Sequence, residues 1–192
     1  APMIYLDNNA TTQVLPAVVE AMLPYWTELY ANPSSIHQFA DAAREALRQS
    51  RLAIGRLVGA RSEELVFTSG ATEACNLAIF GAAEARPERR HVVVSAVEHH
   101  AVLHPAERLR KRGYEVDYLG VDGSGGVDAE ALRRLVRDDT LLVAVMMANN
   151  ETGVIYPVAS LAQIAHAHGA LFLCDATQAV GKIPVNLRRL GV

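Results

Sequence analysis

The sequence is poor in the residues that would place it in several common classes. Cysteine occurs only at Cys75 and Cys174, and Cys174 lies inside an apolar run, which argues against a disulfide framework and for a reducing compartment. Lysine is confined to Lys111 and Lys182. The formal net charge is −3 and no basic cluster is interleaved with aromatics, so nothing electrostatic favours nucleic acid or an anionic membrane as a partner. No apolar run approaches the ~20 residues of a membrane span, and no basic, apolar and small-residue signal segment opens the chain. The expectation is a cytoplasmic protein that meets small molecules or other proteins. A phosphate-binding P-loop is missing, and no G-x-G-x-x-G follows the first strand, which disfavours a dehydrogenase domain. Internal repeats, low-complexity tracts and linkers are also missing, and DGSGG at 122–126 reads as a turn.

What remains is a chain of 192 residues, 51% of them hydrophobic, long enough to bury a sizeable core. After IYLDNNATT, helical spacing runs over about 16–30 and 37–58, with NPSS as the turn between them. The period then changes. LVFTS (65–69), HVVVSA (91–96), EVDYL (115–119), LLVAVMM (141–147) and ALFLC (170–174) are short β-rich runs. Helical patterns over 72–85, 101–111, 129–137 and 158–168 separate most of them. Strand and helix alternating in this way, with strands apolar on both faces, predicts an α/β fold with a mostly parallel sheet covered by helices.

Ligands of open α/β sheets bind at the carboxyl ends of the strands, so the residues after each apolar run carry the functional signal. LVFTS leads into Gly70, Ala71, Thr72 and Glu73. A glycine and hydroxyl residues before a helix leave backbone N–H groups where the dipole favours an anion; ordinary N-capping by Ser69 or Thr72 explains the same composition. HVVVSA leads into Glu98, His99 and His100, with His104 one turn on. His100 and His104 share a helical face and suit a metal, but no third ligand stands at a recognisable spacing. The alternatives are polar residues at a helix start, or a ring that stacks on a flat heteroaromatic ligand. ALFLC stops at Asp175, a carboxylate at a strand end that needs a positive partner or serves as a helix cap. A phosphate seat, a stacking ring and a carboxylate for a protonated ring nitrogen together describe pyridoxal phosphate, whose pyridinium acts as an electron sink.

YLDNNATT (5–12), NPSSIH (32–37), FTSGATEACN (67–76), EHHAVL (98–103), NNETG (149–153) and DATQAVGKIPV (175–185) occur in this order along the whole chain. Together they resemble the cysteine desulfurase family, within the fold-type I pyridoxal-phosphate enzymes similar to class V aminotransferases. The resemblance implies a cofactor phosphate bound by Thr72 and the backbone at Gly70 and Ala71, and His99 stacked on the ring as a catalytic residue. It implies Asp175 on the ring nitrogen, Gln178 on the ring hydroxyl oxygen, and Asn150 near cofactor and substrate carboxylate. Asn8, Ala10, Thr11 and Asn32 resemble substrate-binding positions at the site entrance. The implied reaction converts L-cysteine to L-alanine and passes sulfur to an enzyme cysteine as a persulfide, for iron–sulfur cluster assembly or other sulfur transfer, in a homodimer that meets a sulfur acceptor or scaffold protein.

The chain departs from the family in its lysines. Lys111 sits in the basic RLRKRG helix end and Lys182 in VGKIPV, neither of them the family's Schiff-base motif, and neither cysteine matches the reactive one. The resemblance therefore implies about the first half of a desulfurase. Residues 1–15 correspond to an N-terminal arm, part of the small domain at the active-site entrance, and 16–192 to the cofactor-binding large domain, incomplete at its C-terminus. The remainder of the polypeptide or a second chain would supply lysine, cysteine and a substrate-binding arginine. Another class V enzyme, an aminotransferase or selenocysteine lyase, or a non-catalytic binding half-chain would share the same motifs.

Overall fold

The computed structural model describes residues 3–192. The chain divides into two compact units whose boundary falls between Leu65 and Val66.

In the first unit the predicted helix over 16–30 is two shorter ones, α1 (Pro16–Met22) and α2 (Pro24–Thr27). Pro24 has no N–H to continue the ladder of α1, so a new helix starts there with proline in its first turn. A 3₁₀ turn over Gln38–Ala40 leads into α3 (Asp41–Val58). That helix ends on Gly59, whose φ of 73° is the left-handed C-terminal stop that glycine adopts without a Cβ penalty. The Ala60 N–H returns 2.9 Å to the Gly55 carbonyl, which packs the exit turn against the helix. Arg51 reaches the Leu65 carbonyl.

The second unit holds α4 (Ala71–Ala85), β1 (His91–Ser95), α5 (His100–Lys111), β2 (Glu115–Leu119), α6 (Ala129–Leu135), β3 (Thr140–Ala144), α7 (Val158–Ala167), β4 (Leu171–Leu173) and α8 (Leu187–Leu190). The four strands form one sheet in the order β2-β1-β3-β4, every pair parallel. The α/β expectation holds, and four of the five predicted strands are present. LVFTS is the exception. It has no ladder partner among the described residues, Val66 stands 71% exposed, and β propensity without a neighbouring strand leaves an extended segment rather than a strand.

β1 and β3 are buried at every residue, as central strands of a sheet covered on both faces must be. Alternate residues feed two cores. Val93, Val143 and Phe172 pack with Leu132 of α6 and Leu161 of α7, while Val92, Val94, Leu142 and Ala144 pack with Ile79 of α4 and Val102 and Leu109 of α5. Each large aliphatic side chain so buried contributes about 1.5–3 kcal/mol. At the amino ends of the strands, buried His91 bridges the Thr140 hydroxyl at 2.7 Å and the Asp117 carboxylate at 3.2 Å. DGSGG is a turn, with Asp122 Oδ1 accepting from the N–H groups of Ser124 and Gly126 at 2.8 and 3.0 Å.

From β1 the chain steps outward to β2, and from β3 outward the other way to β4. The carboxyl ends of β1 and β3 therefore flank a topological switch point. Glu98, past the end of β1, crosses this point, its Oε1 accepting from the Met146 N–H at 2.7 Å. The residue is 6% exposed and its buried Oε2 has no hydrogen-bond partner among the described residues. Burial, only partly offset by the Met146 N–H, pushes the carboxyl from its ordinary 4.5 up to about 7, and the charge of Asp175 adds to the rise.

Two stability measurements test this packing. An added Cβ at Gly55 would stand 2.7 Å from the Ala60 carbonyl oxygen, so Gly55→Ala should destabilise by about 1–3 kcal/mol despite alanine's helix propensity; a urea midpoint unchanged or raised would show that the exit turn has room. For Glu98 the folded state holds its proton more tightly than the unfolded chain, so its contribution to stability declines as pH rises through 4.5 to 7 and the penalty is complete above that range. Glu98→Gln keeps an acceptor for Met146 and should lose this decline, a difference on the order of 3 kcal/mol between the two pH dependences. Parallel profiles from pH 4.5 to 8 would contradict the assignment.

Candidate functional site

Gly70 precedes α4 in extended conformation, and, its chain neighbours aside, no described atom lies within 4 Å of where its Cβ would stand. The approach to the first turn of the helix is open. No side chain caps α4, and its ladder begins only with the Ala74 N–H, 3.1 Å from the Gly70 carbonyl. The N–H groups of Ala71, Thr72 and Glu73 therefore have no intrahelical acceptor. Ser69 does not cap them. Its N–H and hydroxyl both donate to Glu73 Oε2 at 2.6 Å, holding that carboxyl below its ordinary range. The glutamate charge is tied to Ser69, and the backbone donors remain for an anion, aided by the dipole of a 15-residue helix.

His99 is the N-cap residue of α5, with Nδ1 accepting from the Ala101 N–H at 3.1 Å. That bond reserves the Nδ1 lone pair, so a neutral ring carries its proton on Nε2. The His99 ring is exposed at the mouth of the switch point. His100 and His104 stack on each other, centroids 4.8 Å apart at 20°, as their four-residue spacing predicts. Glu98 is turned inward to Met146 rather than joined to that pair. Among the described residues no group of three or more His, Cys, Asp or Glu side chains can hold a metal ion.

Asp175 follows β4, and its carbonyl accepts from the Met147 N–H at 2.8 Å, which fixes it beside the end of β3. Its Oδ1 accepts from the Thr177 N–H at 2.9 Å and the Thr177 hydroxyl at 2.6 Å. The carboxylate thus caps the turn that follows, and both of these bonds fall on one oxygen. Gln178 lies in that turn, where Lys182 donates its Nζ–H to Gln178 Oε1. Asn149 builds the neighbouring loop. Its side chain is buried, donates to the Val97 carbonyl at 3.2 Å, and accepts from the N–H groups of Glu151 and Thr152 at 2.9 Å. Asn150 is set by this scaffold, half-buried at the rim.

One unit therefore contains Gly70, Ala71, Thr72, His99, Asn150, Asp175 and Gln178, and the last four follow the ends of β1, β3 and β4. An open seat of N–H donors, a flat exposed ring and a carboxylate with one oxygen uncommitted to the turn fit a phosphorylated, protonated heteroaromatic ring. Asn8, Ala10, Thr11 and Asn32 belong to the first unit. There the Ala10 N–H lies 3.2 Å from the Asp7 carbonyl, the Thr11 hydroxyl 2.6 Å from that of Tyr5, and Asn32 Oδ1 accepts from the Ser34 N–H at 2.9 Å. Two residues acquire a part that the sequence alone does not assign. Glu98 is a buried acid held by the Met146 N–H, and Lys182 is a partner of Gln178, signalled only by their four-residue spacing. Neither cysteine is poised as a nucleophile. Burial first, then the charges of Asp175 and Glu98, push the Cys75 thiol up to about 11, and the same causes push Cys174 up to about 12.

Residues 4–192 match the aminotransferase class V family model. Cysteine desulfurase 2 of Trichormus variabilis is 48% identical over 186 residues, covering 97% of this chain and 47% of that protein. The cysteine desulfurase of Gluconacetobacter diazotrophicus is 51% identical over 187 residues, covering 96% and 47% respectively. Among solved structures, a NifS-like protein superimposes with a TM-score of 0.95 at 38% identity, over 98% of this chain and 53% of that one. The chain spans about half the length of the curated relatives it matches. With this coverage, the chain belongs to the class V aminotransferase family, which together with the cysteine desulfurases comprises pyridoxal-phosphate-dependent enzymes.

Proposed function

We propose that this chain is the cofactor-binding portion of a cysteine desulfurase, which converts L-cysteine to L-alanine and passes the sulfur to an enzyme cysteine as a persulfide. The observation that carries the reading is that one unit holds both the uncapped first turn of α4, which fits a phosphate, and, after the ends of β1 and β4, His99, Asp175 and Gln178, which offer a flat ring, an anion and an amide. Relatives named cysteine desulfurase at 47–51% identity support the substrate.

Bound there, pyridoxal phosphate supplies an electron sink for cleavage of bonds at the substrate's α-carbon and beyond. The protein's part is to hold and polarise. Gly70, Ala71 and Thr72 anchor the phosphate, His99 covers one ring face, and Asp175 keeps the ring nitrogen protonated. Asn150 contacts the cofactor and the substrate carboxylate, with Asn8, Ala10, Thr11 and Asn32 as substrate-binding positions. In this reading residues 1–15 are the arm at the entrance and 16–192 the large domain. The Schiff-base lysine, the reactive cysteine and a substrate-binding arginine come from further polypeptide. Met3 and Leu6 of the first unit stand 96% and 84% exposed, which supports further protein over them, including a homodimer partner. The protein works in the cytoplasm and delivers sulfur to an acceptor or iron–sulfur scaffold protein.

In the complete protein, Asp175→Asn retains an Oδ1 acceptor for Thr177 and should unfold within about 0.5 kcal/mol of wild type. Losing the charged partner of the ring nitrogen should lower the release of sulfide and alanine from L-cysteine on the order of 100-fold; undiminished turnover would remove the electron-sink role from Asp175. His99→Asn keeps the α5 cap and should weaken pyridoxal phosphate binding roughly 3–10-fold through lost stacking. His100→Ala and His104→Ala should change it less than twofold. Equal effects at all three positions, or zinc recovered by elemental analysis, would restore the metal reading.

A further inference from the structure

Glu98 is a buried acid to which the reaction as described gives no role. It stands 6% exposed, its Oε1 accepts from the Met146 N–H at 2.7 Å, and its Oε2 has no hydrogen-bond partner among the described residues. The next amide along the chain, that of Met147, donates to the Asp175 carbonyl at 2.8 Å. Consecutive amides of one segment therefore hold the two acids, and the Asp175 charge reaches the Glu98 carboxyl. The other ionisable groups in electrostatic contact with Glu98 are Cys75 of α4, Cys174 just after β4, and Tyr156. Thiols and phenols titrate between neutral and anionic forms, so none of them brings a positive charge. A carboxyl in such a place keeps its proton beyond the ordinary range, because its anion lacks solvent and faces a second anion. Burial weighs most, the Met146 N–H favours the ionised form, Asp175 opposes it and the Ser95 hydroxyl favours it; the balance lifts the carboxyl to about 7.

Resting on the reading that Asp175 meets a protonated ring nitrogen, we propose that Glu98 makes cofactor binding proton-linked. A cation seated at Asp175 cancels the charge that opposes Glu98, and Glu98 then gives its proton to solvent. The pair holds one negative charge beforehand, and one net negative charge afterwards, since the proton that leaves matches the one carried by the ring. Burial persists in the occupied site, so the release is partial. The coupling is reciprocal: what binding does to the proton, the proton does to binding. With Glu98 ionised two like charges stand together and a cation relieves both, so the preference for a cationic ring grows as pH rises through the titration of Glu98.

The test counts protons. Heats of pyridoxal phosphate binding to the complete protein, taken at one pH in buffers of unlike ionisation enthalpy, give the protons released. Glu98→Gln, which keeps an acceptor for Met146 and cannot ionise, is the reference. The unmodified protein should release roughly 0.3–0.5 proton more than the variant between about pH 6 and 7, and the difference should vanish below about pH 4.5 and above about pH 8.5. Its affinity relative to Glu98→Gln should rise roughly 3–10-fold from about pH 5 to about pH 8. In the unmodified protein, the infrared difference spectrum at about pH 6.5 should show a protonated-carboxyl band lost on binding, a readout that stands even if the variant folds poorly. 1-Deazapyridoxal phosphate, with carbon in place of the ring nitrogen, brings no cation to Asp175, so the two proteins should release equally with it. Equal proton counts with pyridoxal phosphate and no carboxyl band lost would overturn the proposal; the ring-nitrogen reading would survive alone if Asp175→Asn still weakened pyridoxal phosphate more than the deaza analogue. If Asp175→Asn weakens both ligands equally, that reading fails and the Glu98 coupling fails with it. Release from Glu98 that is the same with the deaza analogue would make the trigger the phosphate and not the ring cation, which also overturns the proposal.

Discussion

Backbone donors at the carboxyl end of β3 have to be met inside a core from which water is excluded, and the arrangement of the site depends on how this is done. The Met146 N–H is taken by Glu98 Oε1 and the Met147 N–H by the Asp175 carbonyl. One bond ties the segment after β1 to β3, and the other ties β3 to the segment after β4. Left unmet, either amide would cost about 1–3 kcal/mol. The same two ties carry His99, next to Glu98, and the side chain of Asp175 to the switch point.

These ties have an electrostatic consequence. They bring a buried acid close enough to Asp175 for that charge to oppose its ionisation. Burial weighs most on Glu98, and its pKa of about 7 leaves a substantial protonated fraction near neutrality. Protonation of Glu98 removes the repulsion between its carboxyl and the half-buried Asp175. The same field and the same burial keep Cys75 and Cys174 as thiols, so sulfur chemistry on either of them is disfavoured.

Much of this was legible in the sequence. HVVVSA and LLVAVMM read as buried strands because β-branched and apolar residues fill both faces, and in the structure β1 and β3 are buried throughout. The polar residues after each run marked the carboxyl ends, where parallel sheets bind ligands. LVFTS was misread, since strand propensity is realised only beside a partner strand. The division of the 16–30 helix at Pro24 was signalled by proline but masked by apolar spacing that continues past it. The short α8 was also missed, although Asn186 as its cap and Gly191 as its left-handed stop stand in the sequence.

By itself the sequence determined the α/β class, the identity of the groups at the strand ends and, through six ordered motifs, the family, because periodicity and residue chemistry are local properties of the chain. Tertiary structure decided their use. That Glu98 points into the core and not toward His100 and His104, that Ser69 holds Glu73 and leaves the α4 amides uncapped, and that Lys182 donates to Gln178 all depend on contacts made only once the strand ends and turns are set in place. Hydrogen bonds are directional and burial is collective, so neither the partner of a side chain nor its charge state can be read from its neighbours in sequence.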